Sequence, residues 1–447
     1  MRRFLRRKWV RRLLAATGLV VVLVLAARPI ADFLMRDRLA AFIDKIEADD
    51  PDWRLDRLAA ARNAALPPDD RNSFPIVTAA AGKLPPTFGG EFSPLLMAVE
   101  KRPSTLLRSA ACTALDSLLT KCGPALADAR RLATMPDGGQ SLIFPDSPRS
   151  ATFISPGYFR QVCHLLQLDA YAAANANRPG DAVQSLRAIL NVGRAVGDEP
   201  SFVSQLQRAT IAFVAARAVE FVIALCEPTD TDGLAELQAE LLREADFRRL
   251  TVGFRGERAL SFQQFEWMKA NGVVASTGNA RIDPLARWGM QAHLPADQLR
   301  TLELMTELVI AANKPFDQQK AAMVAVQRPD ANDWRFYLTR LSLDFVDMFT
   351  DGGLKCRSHL LSVAAGVAAE RYRRKHGAWP ASLEALVPEF LPAVPTEPFS
   401  GKPLGFERLP DGLAITPTGP DGQRDLDHGM RLWDPDKRRK PPSEGKP

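Results

Sequence analysis

A run of uncharged residues close to the start, Leu13–Ala27, constrains the topology of the whole chain. It follows a basic arm that carries seven arginines and lysines and no acid. The run is shorter than the roughly 20 residues that cross a bilayer core. Arg12 and Arg28 can extend their charged ends to the interface, however, and the apolar pattern continues beyond Pro29. We therefore expect a transmembrane anchor over 13–35, with the arm 1–12 in the cytoplasm.

A cleaved signal peptide is the alternative, because a basic start, an apolar core and a candidate cleavage point at Val24–Ala26 also suit that reading. Few small polar residues surround this point, and a helical pattern follows it, which favours an uncleaved anchor. A twin-arginine signal fits poorly, because the order RRFLRRKW departs from that motif. In each case the positive charges keep the N-terminus inside. The bulk of the chain is then expected on the periplasmic or exoplasmic side of a bacterial inner (cytoplasmic) membrane.

The excess positive charge of the chain is confined to the basic arm. The formal net charge is +6, so the seven cations of the arm leave −1 for all remaining residues. A protein that binds nucleic acid carries its positive charge on the folded domain. We therefore expect the membrane and unidentified proteins as partners, and no nucleic acid; the sequence identifies no small-molecule substrate.

Helical periodicity dominates the chain up to position 400, and we find no strand alternation before that point. A chain of 447 residues exceeds one ordinary core, so two or three packed units are expected. A stem and short helices fill 36–135, and an antiparallel helical bundle fills 156–350. The predicted bundle helices are 158–177, 183–192, 206–225, 234–243, 258–271, 296–312 and 334–349. Asp181 and Gln184 resemble a capping box at the second of them.

The five cysteines are scattered, and no two have the CxxC spacing of a zinc or redox site. Cys112 and Cys122 are ten positions apart, which on one continuous helix is a rise of ~15 Å and too far for a disulfide. They can pair only if the chain turns back between them. Buried free thiols are the plainer expectation.

The C-terminal part begins with a helix whose apolar positions Leu360, Val363 and Val367 share one face. Gly377 is expected to end this helix, and a short second helix is expected over 381–387. Two short strands over 403–408 and 413–416 follow. The residues LPDG between them supply the proline and glycine that a hairpin loop requires. The pattern predicts a small α+β module.

A set of aromatic, proline, glycine and acidic residues follows in a defined order through this part: Tyr372, His376-Gly377, Trp379-Pro380, Leu383, Leu386, Pro395, Glu397-Pro398-Phe399, Gly401, Pro403, Asp411-Gly412 and Gly419-Pro420-Asp421-Gly422. This order resembles the soluble domain of the major pseudopilins of type II secretion systems. The resemblance covers about 75 residues, 354–430. It implies a pseudopilin-like module over 351–432, and we expect a disordered tail over 433–447.

The N-terminus departs from the pseudopilin pattern. A pilin is processed at a glycine that precedes an apolar helix with a glutamate at its fifth position. Here Gly18 lies inside the apolar run, and no acid occurs before Asp32. Polymerisation by the usual route of that family is therefore not expected. The whole chain instead resembles uncharacterised single-pass, membrane-anchored helical proteins of bacteria, with a DPxWR segment near Pro51–Arg54 and a tail of this kind.

The resemblance also implies a calcium site, because the matching loop of the secretion pseudopilins binds calcium. The candidate ligands are Asp421, Asp425 and Asp427, which lie within seven positions of one another beside glycines. Carboxylate oxygens suit a hard cation. A solvated acidic turn is the alternative.

Catalytic signatures are missing from the sequence: it contains no HExxH, GxSxG, GxxxxGK[ST] or GxGxxG. His164 and His359 lie in helical patterns and are interpreted as structural. A cluster over 254–258, with Glu266, can line a cleft or form ordinary ion pairs on a helix surface. The sequence therefore favours a non-enzymatic envelope protein that acts in protein interaction or scaffolding. An accessory of a type II-like secretion system and a periplasmic hydrolase with an unrecognised site are the alternatives.

Overall fold

The computed structural model describes 35–100, 103–143, 156–272, 283–330, 332–419 and 422–442. Within these ranges the protein is mainly helical and carries a small antiparallel sheet near the C-terminus, which confirms the predicted class at this level. Helix α1 covers 35–49. The other helices are α2 (Leu55–Ala64), α3 (Ser73–Gly82), α4 (Phe88–Glu100), α5 (Ser109–Lys121), α6 (Gly123–Arg131), α7 (Pro156–Asn175), α8 (Pro179–Arg194), α9 (Phe202–Leu225), α10 (Leu234–Asp246), α11 (Arg249–Asn271), α12 (Asp283–Ala312), α13 (Phe316–Ala325) and α14 (Tyr337–His376).

Helix α9 lies at the centre of the bundle. Most of its side chains are buried, on more than one face, so its stability depends on neighbours on several sides. Helices α7, α8, α11 and α14 are these neighbours. The buried side chains of α7 to α9 form the largest hydrophobic core of the described residues, and this core extends to α3, α5, α6 and α10.

Helix α14 runs unbroken from Tyr337 to His376 and crosses position 350, where the sequence predicts the end of the bundle. Its second half packs into the same core as α7 to α9, through Val363 and Val367 among others. The bundle over 156–350 and the module over 351–432 therefore share one helix and one core. Gly377 ends the helix in the left-handed region, with a φ of 75°, as predicted.

The sheet contains strands β1 (Gly405–Leu409), β2 (Gly412–Thr416) and β3 (Met430–Trp433), in that spatial order and antiparallel. The predicted hairpin is confirmed: Leu409 pairs with Gly412 and Gly405 with Thr416. Strand β3 was not predicted, because four residues give too short a pattern. The predicted helix over 381–387 is wrong, since Glu384–Leu386 forms only one 3₁₀ turn.

Two local predictions have different outcomes. The capping box at Asp181 is wrong: α8 begins at Pro179 without a side-chain cap, and Asp181 pairs with Arg178 at 2.7 Å. A proline needs no partner for its nitrogen at a helix start, which explains the early beginning. The five cysteines are all free thiols, and Cys112 and Cys122 do not pair.

The predicted disordered tail is wrong for 433–442. Trp433 belongs to β3, a 3₁₀ turn follows at Pro435–Lys437, and Arg438 is buried. The run of basic residues over 437–440 suggests a solvated, disordered segment. Arg438 is instead buried, because it pairs with the buried carboxylate of Glu370 on α14. The last five residues, 443–447, lie outside the described part.

The predicted arm over 1–12 and positions 13–34 of the predicted anchor lie outside the described residues. Among the helices that are described, none combines the length and the apolar character that a membrane span requires.

Helix α11 approaches the start of α9 so closely that only glycine fits at position 256. A Cβ atom there would lie 2.0 Å from the backbone oxygen of Pro200. We expect Gly256→Ala to lower the free energy of unfolding by about 1–3 kcal/mol, because backbone must move to relieve the overlap. Thermal melting measures the effect. Gly90→Ala is the matched control, since its Cβ atom meets nothing within 4 Å, and equal melting of the two variants would contradict the prediction.

Candidate functional site

The predicted calcium loop is only partly described. Asp421 lies outside the described residues. One oxygen of Asp425 accepts hydrogen bonds from the backbone N–H groups of Asp427 (3.1 Å) and His428 (3.2 Å), and the other contacts Nδ1 of His428 at 2.7 Å. The described residues contain no group of three or more side chains placed to hold a metal ion. Calcium binding by Asp421, Asp425 and Asp427 stays a prediction.

His428 and His359 meet at the interface between α14 and the chain before β3, with ring centroids 6.1 Å apart. His359 is buried and packs against the ring of Phe213, with ring centroids 4.6 Å apart. Burial lowers the pKa of His359 to about 4, so the ring is neutral at pH 7. Among the described hydrogen bonds, no serine, threonine or cysteine contacts His428. Its described contacts are with Asp425 and with the rings of Phe213 and His359.

The cluster over 254–258 forms structural contacts. Arg255 and Arg258 both pair with Asp50, at 2.6 and 2.5 Å, and so fasten α11 to the end of α1. Glu257 accepts a hydrogen bond from the backbone N–H of Phe202, at the start of α9. Glu266 pairs with Lys269 at 2.8 Å. Arg255 and Arg258 meet at Asp50, whereas Glu257 and Glu266 have other partners, and these contacts agree with the ion-pair interpretation.

An exposed apolar stripe lies on the first turns of α14. It consists of Tyr337, Leu341, Phe345 and Met348, which are 40, 47, 56 and 52% exposed. Their spacing of four, four and three residues places them on one face of the helix. We call this surface the α14 stripe. Single exposed apolar residues are common on any protein, but four aligned on one helix mark a candidate interaction site.

The opposite face of the same turns is buried. Val346 and Phe349 are 1 and 0% exposed and belong to the core between α11, α12 and α14. The segment YLTRLSLDFVDMF therefore contains more apolar residues than one buried face can hold. This excess is the signal that sequence reasoning missed, because a single helical stripe already explained the segment as part of a bundle.

The start of α14, which bears the α14 stripe, is hydrogen-bonded to a side chain of α12. Asp297 of α12 accepts hydrogen bonds from the backbone N–H groups of Leu338 (2.9 Å) and Thr339 (3.0 Å). The hydroxyl of Thr339 donates to the same carboxylate at 2.5 Å. Asp297 is buried, and burial raises its pKa against the effect of these donors. The carboxylate caps α14 from a neighbouring helix.

The next turns of α12 pack against α1, the helix that follows the N-terminal apolar run in sequence. Leu39 and Ile46 of α1 form a core with Leu302 of α12, and Leu299 packs against it. Positions 297 to 302 cover less than two helical turns. The start of α14 and the helix α1 are therefore attached to the same part of α12.

Comparison with protein families, with curated proteins and with solved structures gives no match.

Proposed function

We propose that the protein is a non-enzymatic interaction protein of the bacterial envelope, anchored through 13–35, which binds a protein partner on the α14 stripe. The observation that carries the proposal is the aligned exposure of Tyr337, Leu341, Phe345 and Met348 on a helix whose other face is buried. Aromatic residues and methionine are enriched in the centres of protein interfaces.

The partner is expected to present an amphipathic helix or an apolar groove. A helix side bearing large residues at intervals of three and four is the pattern that helix-in-groove recognition uses. The position of the stripe supports this proposal, because the start of α14 and α1, the helix that follows the proposed anchor in sequence, are attached to the same turns of α12. A partner within or beside the membrane fits this position.

A photo-crosslinking residue tests the proposal in native membranes. Placed at Phe345, it is expected to give a discrete crosslinked product; placed at Ile310, which is 59% exposed on α12, it is expected to give none. Leu341→Glu, combined with the crosslinker at 345, is expected to reduce the product at least tenfold, because a carboxylate in an apolar contact is costly. Ile310→Glu in the same background is the matched control.

Two outcomes of that experiment would contradict the proposal. One is the same set of products from positions 345 and 310. The other is a product from 345 that survives Leu341→Glu unchanged. Both substitutions are on exposed positions, so thermal melting should differ little between them and confirms that the body stays folded.

An accessory role in a type II-like secretion system is the second candidate. It is supported by the pseudopilin-like order of elements in the tail, where α14 ends at Gly377 and the β1–β2 hairpin follows. On this proposal the product from position 345, or from an equivalent probe on the sheet, contains a component of that system.

A further inference from the structure

A cleft of about 790 Å³ opens between α10, the end of α8 and the connector that follows α2. Its size is in the range of pockets that hold small molecules. One wall is apolar and includes Leu66, Pro67, Pro136 and Phe247. The remaining lining is rich in charge, with four arginines and three acids. No lining residue is a histidine, serine or cysteine, and the cleft does not touch the α14 stripe.

Two of these arginines, Arg194 and Arg208, form the buried floor. Arg208 pairs with Glu244 through two parallel hydrogen bonds of 2.8 Å. Arg194 approaches the same carboxylate at 3.5 Å, and Arg249 approaches it at 3.1 Å from behind the floor. One carboxylate thus serves three guanidinium groups.

The neighbouring carboxylate does not correct this imbalance. Glu240 pairs with Arg187 at 2.9 Å and with Arg194 at 3.6 Å. The connected network therefore holds four arginines (187, 194, 208, 249) and two glutamates (240, 244), an excess of two positive charges. Arg194 and Arg208 also donate to the backbone carbonyls of Glu240 and Gly197. These carbonyls satisfy hydrogen bonds, but they do not neutralise charge.

Buried positive charge without an equal number of anions is unfavourable, because burial removes the water that would solvate it. Burial accordingly lowers the pKa of Arg194 from its ordinary value. A bound anion would offset this cost. The network therefore creates a preference for a negatively charged ligand at the cleft floor.

The rim adds two cations. Arg71 and Arg243 are exposed, and no ion pair of either is seen within the described ranges. The acid Asp246 is engaged by Arg357 at 2.9 Å, which leaves Asp137 as the acid that faces the rim arginines. The rim guanidinium groups can therefore contact a ligand that the positive charge of the floor attracts.

We propose that this cleft binds a small organic molecule that carries a phosphate group. A phosphate monoester has close to two negative charges at pH 7, which would offset the positive charge of the network, and the guanidinium forks of Arg71 and Arg243 suit its oxygens. Inorganic phosphate alone would leave most of the cleft empty. The apolar wall offers a surface for the organic part. The lining supplies no nucleophile, so the expected event is binding without turnover.

Calorimetric titration of the purified full chain with phenyl phosphate, inorganic phosphate and phenol tests the proposal at constant ionic strength. We expect phenyl phosphate to bind, inorganic phosphate to bind at least tenfold more weakly, and phenol not to bind. The double variant Arg71→Ala, Arg243→Ala is expected to weaken phenyl phosphate binding at least tenfold. Arg131→Ala is the matched control, because Arg131 is exposed away from the cleft lining.

Three results would overturn the proposal. They are the absence of heat with phenyl phosphate, equal binding of inorganic phosphate and phenyl phosphate, and unchanged affinity in the double rim variant. The two rim arginines are exposed, so the variant keeps the buried network; equal thermal melting of the variant and the parent protein checks this. The result is independent of crosslinking at the α14 stripe.

Discussion

Removal of 435–447 is expected to lower the free energy of unfolding by about 3–5 kcal/mol, because it takes away one partner of a buried ion pair. Arg438 donates to both carboxylate oxygens of Glu370, at 3.0 and 2.7 Å. The Arg438 side chain is 3% exposed and that of Glu370 is 0% exposed. Without Arg438, Glu370 remains in the core of α14 with Arg373 and Arg374 as its partners, and both of these are closer to the surface.

The same segment also joins elements that are distant in sequence. Arg439 donates to the carbonyls of Leu225 and Ala174, at the ends of α9 and α7. The backbone of Lys440 pairs with Ser104 at 3.0 Å and with Leu106 at 2.8 Å. The truncation therefore leaves several helix-end carbonyls and one strand-like contact without partners.

Thermal or denaturant unfolding of the purified protein measures the effect. Removal of 443–447 alone is the control, since it takes away none of these contacts. The double variant Glu370→Met, Arg438→Met is expected to be more stable than Arg438→Met alone, because replacing both partners of a buried pair removes the stranded charge. If truncation after 434 and truncation after 442 give the same melting temperature, the tail does not stabilise the fold.

The burial of Glu370 can be inferred from the sequence, whereas the identity of its partner cannot. With Leu360, Val363 and Val367 it continues the three- and four-residue spacing of the buried face of α14. An acid on a buried face requires a cation, so the sequence predicts that a partner exists. The sequence does not identify which arginine is the partner. Arg438 is 68 positions from Glu370, and the two residues come together only because the sheet places the chain that follows β3 beside α14.

The general course of the helices and the hairpin could be predicted, because both depend on local spacing and turn residues. The continuity of α14 through position 350 could not, because it depends on packing between elements distant in sequence: Gly352 lies against Leu206 and Gly353 against Leu250. The cleft could not be predicted either. Its floor combines α8, α9 and α10, and pairs such as Arg208 with Glu244 depend on how these helices cross.

Acidification from pH 5 to pH 2 is expected to remove about 6 kcal/mol of stability, the largest effect foreseen for this protein. Burial alone would raise the pKa of Glu244, but Arg208, Arg249 and Arg194 overcome it and lower the pKa to about 2. Burial alone would also raise the pKa of Glu370. Hydrogen bonds and charge from Arg438 and Arg373 outweigh burial and lower this pKa to about 2. The ordinary value for a glutamate is 4.5.

The direction follows from proton binding. Between pH 4.5 and 2 the unfolded chain protonates these carboxylates while the folded protein does not, so falling pH favours unfolding. A shift of one pKa unit corresponds to about 1.4 kcal/mol, so the shift from 4.5 to about 2 gives roughly 3–4 kcal/mol for each group, of which about 3 kcal/mol is lost between pH 5 and pH 2. This stability is fully present above pH 4.5. His359 acts in the same direction at higher pH, because its pKa of about 4 lies below the ordinary 6.5.

Denaturant unfolding at pH 7, 5, 4, 3 and 2 checks this dependence. Burial raises the pKa of Glu257 to about 7, so the ionisation of Glu257 lowers the stability of the fold as pH rises from 4.5 through 7. Above pH 5 this loss partly offsets the stability gained as the histidine at position 359 loses its proton in the unfolded chain. Below pH 4.5 the two buried glutamates should dominate. In Glu370→Met, Arg438→Met, which keeps Glu244, the loss of stability between pH 4.5 and 3 should be about half that of the parent protein. An equal loss in both proteins would show that Glu370 is not held ionised by its arginines in the folded state.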